Sequence, residues 1–318
     1  MSTYKEINGT AIEALSADPP NPQDGQVWYR TDLGTFKTQK QSVLGAWATG
    51  GTLNNGRYYL AGSGTQTSSL VFGGNAPLSS TESYNGTSWT ELNDLTSERR
   101  RMGSAGADNT SSLAFGGEQP GDTISTVTES WNGTNWTEVN DLNTARMDLT
   151  GAGIQTAALA IAGRTTPPPL GPVANTESWN GTNWTEVNDL NNARMQLAAA
   201  GTQTSAVAFA GGPGPRVYTE TWNGTNWTEV NDLNNAKNQL GGAGTNSTAA
   251  LSVGGTPYTE TESWNGTNWT LVGSLNTNRR NLTGTGTETA ALAVGGEPSP
   301  ETEEFNAPAA VTETITLE

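Results

Sequence analysis

Neutral-pH catalysis commonly draws on imidazole and thiolate, and this chain of 318 residues contains no His and no Cys. Disulfide frameworks, thiolate or imidazole metal centres, cysteine nucleophiles and His-based triads are therefore excluded. Any reaction would have to run on carboxylates, hydroxyls, Tyr, Lys or Arg. The residues that remain recur with regular spacing. A basic residue stands at Arg57, Arg99, Arg146, Arg194, Lys237 and Arg279. Aromatic pairs five residues apart stand at Tyr84/Trp89, Trp131/Trp136, Trp179/Trp184, Trp222/Trp227 and Trp264/Trp269. Carboxylates such as Glu129 and Glu138, and an Asn-Asp-Leu-Asn phrase, return with them. Each class has a chemistry: cations hold anions, paired carboxylates cleave glycosidic bonds, indole faces stack on sugars, and clustered oxygens bind Ca²⁺.

The spacing of these residues reveals the elements that must position them. Trp47 joins the second Trp of each pair, giving positions 47, 89, 136, 184, 227 and 269, with gaps of 42 to 48 residues. A period of that length suits one propeller blade. The basic residue follows each of these Trp by ten positions, and Gly64, Gly106, Gly153, Gly201, Gly244 and Gly286 follow it by seven. Each unit then offers four short strands, as in MDLTGAG, AALAIAG, TESW and NWTEV. Asn-Gly between the paired Trp predicts a two-residue type I′ hairpin, because both central positions need positive φ. No helix is required.

The expected fold class is all-β, a propeller of six four-stranded blades with seven as the alternative, and a short N-terminal arm. Residues 1–26 form the arm, made extended by DPPNPQDG. Residues 27–306 form the propeller, with closing strands at 27–50 and repeats over 51–306, and residues 307–318 form a final strand or tail. The strand around TEEFN closes the ring by pairing with the segment that carries Trp47. The length differences between units fall in one Pro-rich loop per blade, where 11 of the 15 Pro lie and none interrupts a strand.

In that frame the candidate sites have competing readings. The six basic residues open the innermost strands and would ring one mouth of the central channel. Their plainer role is inter-blade pairing with Asp94, Asp141, Asp189 and Asp232 or with carbonyls. The Trp pairs could stack sugars, although two per blade at fixed spacing favours packing between blades. Asn-Asp-Leu-Asn lacks the carboxylate spacing of a Ca²⁺ loop and reads as a turn stabiliser. Glu129, Glu138 and their equivalents read as a solvated outer edge that discourages edge-to-edge pairing. The variable loops carry the candidate partner surface, represented by Arg164, Pro168, Leu170, Arg216, Tyr218 and Tyr258. No catalytic residue, metal or cofactor is predicted.

With 15 basic and 31 acidic residues the net charge is −16. Such a surface repels phosphate backbones and anionic lipid, so neither nucleic-acid binding nor membrane insertion is expected. The N-terminus has no hydrophobic signal core, so the Asn-x-Thr sequons are expected to stay unmodified and synthesis to be cytoplasmic.

A Gly doublet, an aromatic about ten residues on, a Trp after that and a basic residue before the next unit resemble the kelch repeat over residues 40–306. The resemblance implies a propeller and a binding module. The copper oxidases of that family use His and a Cys-linked Tyr, which this chain cannot supply. Near-identical TESWNGTNWTEVNDLNTAR units behind the leader PPNPQDGQVWYRTDLGTFK also resemble virion-associated proteins of tailed bacteriophages, tail-fibre and related proteins of marine phages in particular. That likeness implies a non-enzymatic structural protein of the virion, host attachment through a surface glycan or protein, and contact with other virion proteins through the arm. It leaves a homo-oligomer open. The rival classes are an intracellular kelch adaptor for protein partners and a carboxylate-based polysaccharide hydrolase or lyase.

Overall fold

The computed structural model describes residues 12–19, 26–41, 45–75, 78–165, 171–257, 260–298, 300–307 and 310–315. They divide into two compact units, Ala46–Asn306 and a smaller one drawn from Met1–Gly45 and Ala307–Glu318.

The larger unit repeats one design. In the third repeat Thr150–Ile154, Ala157–Ile161, Thr176–Trp179 and Trp184–Val187 pair antiparallel in that order. Six such sheets occur among the described residues. The first strand of each packs against the first strands of both neighbours, and the sixth returns to the first. The sheets therefore radiate from a closed axis, and the unit is a six-bladed β-propeller. Small residues are obligatory there: a Cβ on Gly284 would lie 2.7 Å from the Gly242 carbonyl oxygen in the preceding blade. Second strands such as AALAI are buried over both faces and read as apolar runs, whereas fourth strands such as WTEV bury only the Trp and expose the residues after it.

Blade-to-blade cohesion rests on the second Trp of each pair. Trp184 is 5% exposed and meets Phe115 of the preceding blade edge-on at 4.9 Å. Its Nε1–H donates to Thr128 Oγ1 of that blade at 3.1 Å. The same bond recurs from Trp136 to Thr81, Trp227 to Thr176, Trp269 to Thr219, Trp47 to Thr261 and Trp89 to Thr302. Six bonds thus complete one circuit of the ring. The fourth strand of the last blade is Ala46–Thr49, which sets Trp47 opposite Phe305 in Thr302–Asn306. The first and last parts of the repeat array therefore share one blade, and closure is built from the pairing expected for TEEFN.

The Asn-Gly connection differs from the expected two-residue turn. Trp131 pairs with Trp136, which leaves a four-residue loop between them. Gly133 has φ 89°, while Asn132 is not among the residues of positive φ. Instead its side-chain Oδ1 accepts the N–H groups of Thr134 and Asn135, a local capping role that Asn performs without a left-handed backbone.

The smaller unit is a separate four-stranded sheet. Glu13–Leu15 runs parallel to Val27–Arg30, which forms a hairpin with Thr35–Gln41, which in turn pairs with Ala310–Ile315. Trp28 is fully buried and donates to Asp18 at 3.0 Å, while Arg30 bridges Asp18 and Asp32. The boundary differs from the expected one: the hairpin at 27–41 pairs with the C-terminal strand and with 13–15, and only 46–49 joins a blade. Short strands flanked by turn residues are common to the blades and to this sheet, so the local pattern does not choose between them.

Candidate functional site

The six basic residues do not line the channel mouth. Each is 0–2% exposed and pairs with a Glu on the third strand of its own blade. The contacts are Arg57–Glu82 at 2.9 Å, Arg99–Glu129 at 2.8 Å, Arg146–Glu177 at 2.9 Å, Arg194–Glu220 at 3.0 Å, Lys237–Glu262 at 3.5 Å and Arg279–Glu303 at 2.9 Å. The other guanidinium nitrogen donates to loop carbonyls, as Arg146 does to Ala162 and Asn175. Burial pulls the guanidinium of Arg146 below its ordinary value, and Glu177 opposes that pull. These cations are structural pins between the loop and the third strand.

Two further expectations change with them. Glu129 and its equivalents are buried partners of the cations, not an exposed edge, while Glu138 does face solvent. Asp94, Asp141, Asp189 and Asp232 do not receive the basic residues either. The last three accept the backbone N–H groups of Thr128, Thr176 and Thr219, and Asp94 accepts from the Ser79 hydroxyl. The second Asn of Asn-Asp-Leu-Asn has its own task. Asn143 donates its backbone and side-chain N–H groups to Glu177 Oε2, on the side away from Arg146. No group of three or more carboxylates able to hold a metal occurs among the described residues.

The mouth itself is formed two residues further on, by Tyr59, Arg101, Asp148, Gln196, Gln239 and Asn281. All six have φ between 54 and 58°, although none is glycine. Each N–H donates to the carbonyl of its counterpart in the preceding blade: Arg101 to Tyr59, Asp148 to Arg101, Gln196 to Asp148, Gln239 to Gln196, Asn281 to Gln239 and Tyr59 to Asn281. The result is a cyclic belt of six hydrogen bonds around the axis. Beneath it Leu60, Met102, Leu149, Leu197, Leu240 and Leu282 form the next layer, their side chains buried in the blade cores, and the two layers line an open cavity of about 80 Å³. The left-handed turn carries the chain from the buried basic residue to the axis, which is why the cation expected at the mouth lies behind it.

Side chains differentiate this belt. The Arg101 guanidinium stacks on Tyr59, 4.1 Å from the ring centroid, and lies 3.6 Å from Glu118 and 3.8 Å from Asp148. Asp148 accepts from Arg164 Nε at 2.7 Å. Burial pushes the Asp148 carboxyl above the usual range, while Arg101 and Arg164 pull it back. Sequence reasoning missed all six positions. The available signal was a single column reading Tyr, Arg, Asp, Gln, Gln, Asn inside a nearly invariant repeat.

No family model matches the sequence, and neither does any curated protein. Solved structures do match. The structure of YjhT superposes with a TM-score of 0.70 at 11% identity, covering 85% of this chain and 100% of that one. The shared fold is a β-propeller. At such low identity the likeness concerns architecture alone, and 618 solved chains match this one, so the fold does not choose a function.

The loops between second and third strands sit on the same face as the belt, because they pair with the connectors that lead into it. Met147 pairs with Arg164, Val173 with Arg194, Met195 with Gly212 and Arg216 with Lys237. The Asn-Gly loops occupy the opposite strand ends. Of the loop candidates, Arg164 turns inward to Asp148, and Arg216 lies 5.8 Å over the Tyr218 ring. Pro168, Leu170 and Tyr258 lie outside the described residues. Arg164 thus belongs with the axial belt, while Arg216 and Tyr218 form a separate patch half-buried on the fourth blade.

Proposed function

We propose that this chain is a non-enzymatic virion component of a tailed phage, a rigid propeller that presents one individualised face for binding at the particle surface. The observation that carries the reading is how the repeat divides. Its Trp, Arg, Glu, Asn and Asp residues are taken up by contacts that recur from blade to blade, so the residues most able to act chemically serve the scaffold. Variation collects on one face, in the Pro-rich loops and the axial belt. Binding carried by variable loops on a stiff frame fits that division.

The resemblance to virion-associated proteins supplies the setting, since the leader and repeat occur together here as they do there. The leader residues Trp28, Arg30 and Asp32 build the smaller sheet. The anchoring role expected of residues 1–26 therefore passes to that whole unit, as its contact with other virion proteins. Mass spectrometry and immunogold labelling of purified particles of the encoding phage test the reading. The chain is expected in the particles at stoichiometric level, with label on the exterior. A chain found in infected cells and absent from particles overturns it.

A further inference from the structure

The axial belt and its cavity have a chemistry that the scaffold does not use. We propose that this cup binds a single carboxylate group, with Arg101 as its principal contact and the amides of Gln196 and Gln239 beside it. The inference goes beyond the virion reading and does not depend on it.

Four observations converge. Non-glycine residues in the left-handed region are uncommon, and such conformations gather at functional sites; here six occur in one ring. The side chains they bring to the axis differ in nearly every blade, as Tyr, Arg, Asp, Gln, Gln and Asn. Arg101 has unspent donor capacity: its partly exposed guanidinium makes no hydrogen bond to the described residues, since Glu118 and Asp148, at 3.6 and 3.8 Å, stand beyond hydrogen-bond reach. Stacking on Tyr59 holds the planar fork in place, and a carboxylate matches that fork with two parallel bonds. Gln196 has no side-chain hydrogen bond to the described residues, and Gln239 accepts from Thr256 Oγ1 at 3.3 Å, which leaves its amide N–H groups for a ligand.

The surroundings define the ligand class. The cavity of about 80 Å³ is open to solvent, so a small head group seats in it while the rest of a larger ligand stays outside. Glu118 and Asp148 both flank Arg101, so the site carries little net positive charge, and its planar fork matches a planar monovalent carboxylate better than a tetrahedral, more highly charged phosphate. The shared chemistry is a carboxylate, whether of a free acid or of an acidic sugar, and titration separates the two sources.

Isothermal titration of the full chain with acetate, glucuronate, glucose and inorganic phosphate tests the proposal. Both carboxylates are expected to saturate at about 10 mM or below, phosphate to bind more weakly and glucose not at all. Arg101→Gln should weaken carboxylate binding by about tenfold or more. Arg280→Gln, which removes an exposed cation from the same unit, should leave it within about twofold. Gln196→Glu supplies a second test that keeps Arg101 in place, because a new negative charge at the belt should abolish binding even where Arg101→Gln fails to fold. Glucuronate tighter than acetate assigns the carboxylate to an acidic sugar, and equal affinities assign it to a free acid. The proposal is overturned by saturation with neither carboxylate, by phosphate binding more tightly than both, or by unchanged affinity in the folded Arg101 and Gln196 variants.

Discussion

Lys237 holds in the fifth blade the place that Arg holds in the other five, and the molecule thereby contains its own substitution experiment. Lys237 approaches Glu262 at 3.5 Å, whereas the Arg–Glu distances run from 2.8 to 3.0 Å. A point charge preserves the pair and one loop carbonyl, Glu260 at 2.7 Å, but does not make the second carbonyl bond that Arg146 makes to Ala162. Arg146→Lys should therefore cost about 1–2 kcal/mol. Arg146→Met, which strands Glu177 in a buried site, should cost about 3–5 kcal/mol. Urea denaturation of both variants checks the order; equal costs would mean that the charge on Arg146 is dispensable. Tyr84 replaces the first Trp of the pair in the first blade, and its hydroxyl donates to Glu304 at 2.5 Å. Burial, with that bond second, pushes the phenol up to about 12. An unfolded tyrosine ionises near about 10, so the unfolded state loses its proton first. Stability from this group is level below about pH 10 and declines between there and about 12. Ultraviolet titration should record one late-ionising tyrosine that disappears in Tyr84→Phe.

Among elements, the fourth strand of each blade is short, and it is secured sideways as much as along its ladder. Trp184 contributes a ring packed on Phe115 and a bond to Thr128 across the blade boundary. Trp184→Ala should cost about 3–5 kcal/mol, the range for emptying a buried aromatic site. Thr128→Val, which only orphans the indole N–H, should cost about 1–3 kcal/mol. Guanidinium melts separate the two, and a negligible loss for Trp184→Ala would point to a ring that does not hold blades together. Indoles committed in this way are not free sugar platforms.

On the scale of the whole molecule, closure divides the chain at a definite place. Ala46–Thr49 completes the last blade, and the segments outside Ala46–Asn306 build another sheet. A chain of residues 46–306 should accordingly melt cooperatively as a propeller. One that starts at residue 50 lacks the fourth strand, uncovers Phe305 and leaves an unpaired edge open to association. Circular dichroism melts and light scattering distinguish them, and equal behaviour would show that closure does not depend on Trp47.

The blade count, the strand order, the closing strand and the packing role of the Trp were legible because they rest on periodicity, which repeats six times and so averages out local ambiguity. The four-residue hairpin was not, since Asn-Gly serves two turn geometries and only the strand register selects between them. Nor was the pairing of the basic residues. Glu177 lies 31 positions beyond Arg146 in the chain and 2.9 Å from it in space, while the nearer Asp141 offered the same charge. The axial belt is wholly a tertiary object. Each of its members donates one backbone bond to a residue about a repeat away, and a single sequence records only that this column varies from unit to unit. Local pattern determines strands because side-chain alternation is a property of neighbours. Which residue reaches the axis is decided by how six separate sheets meet.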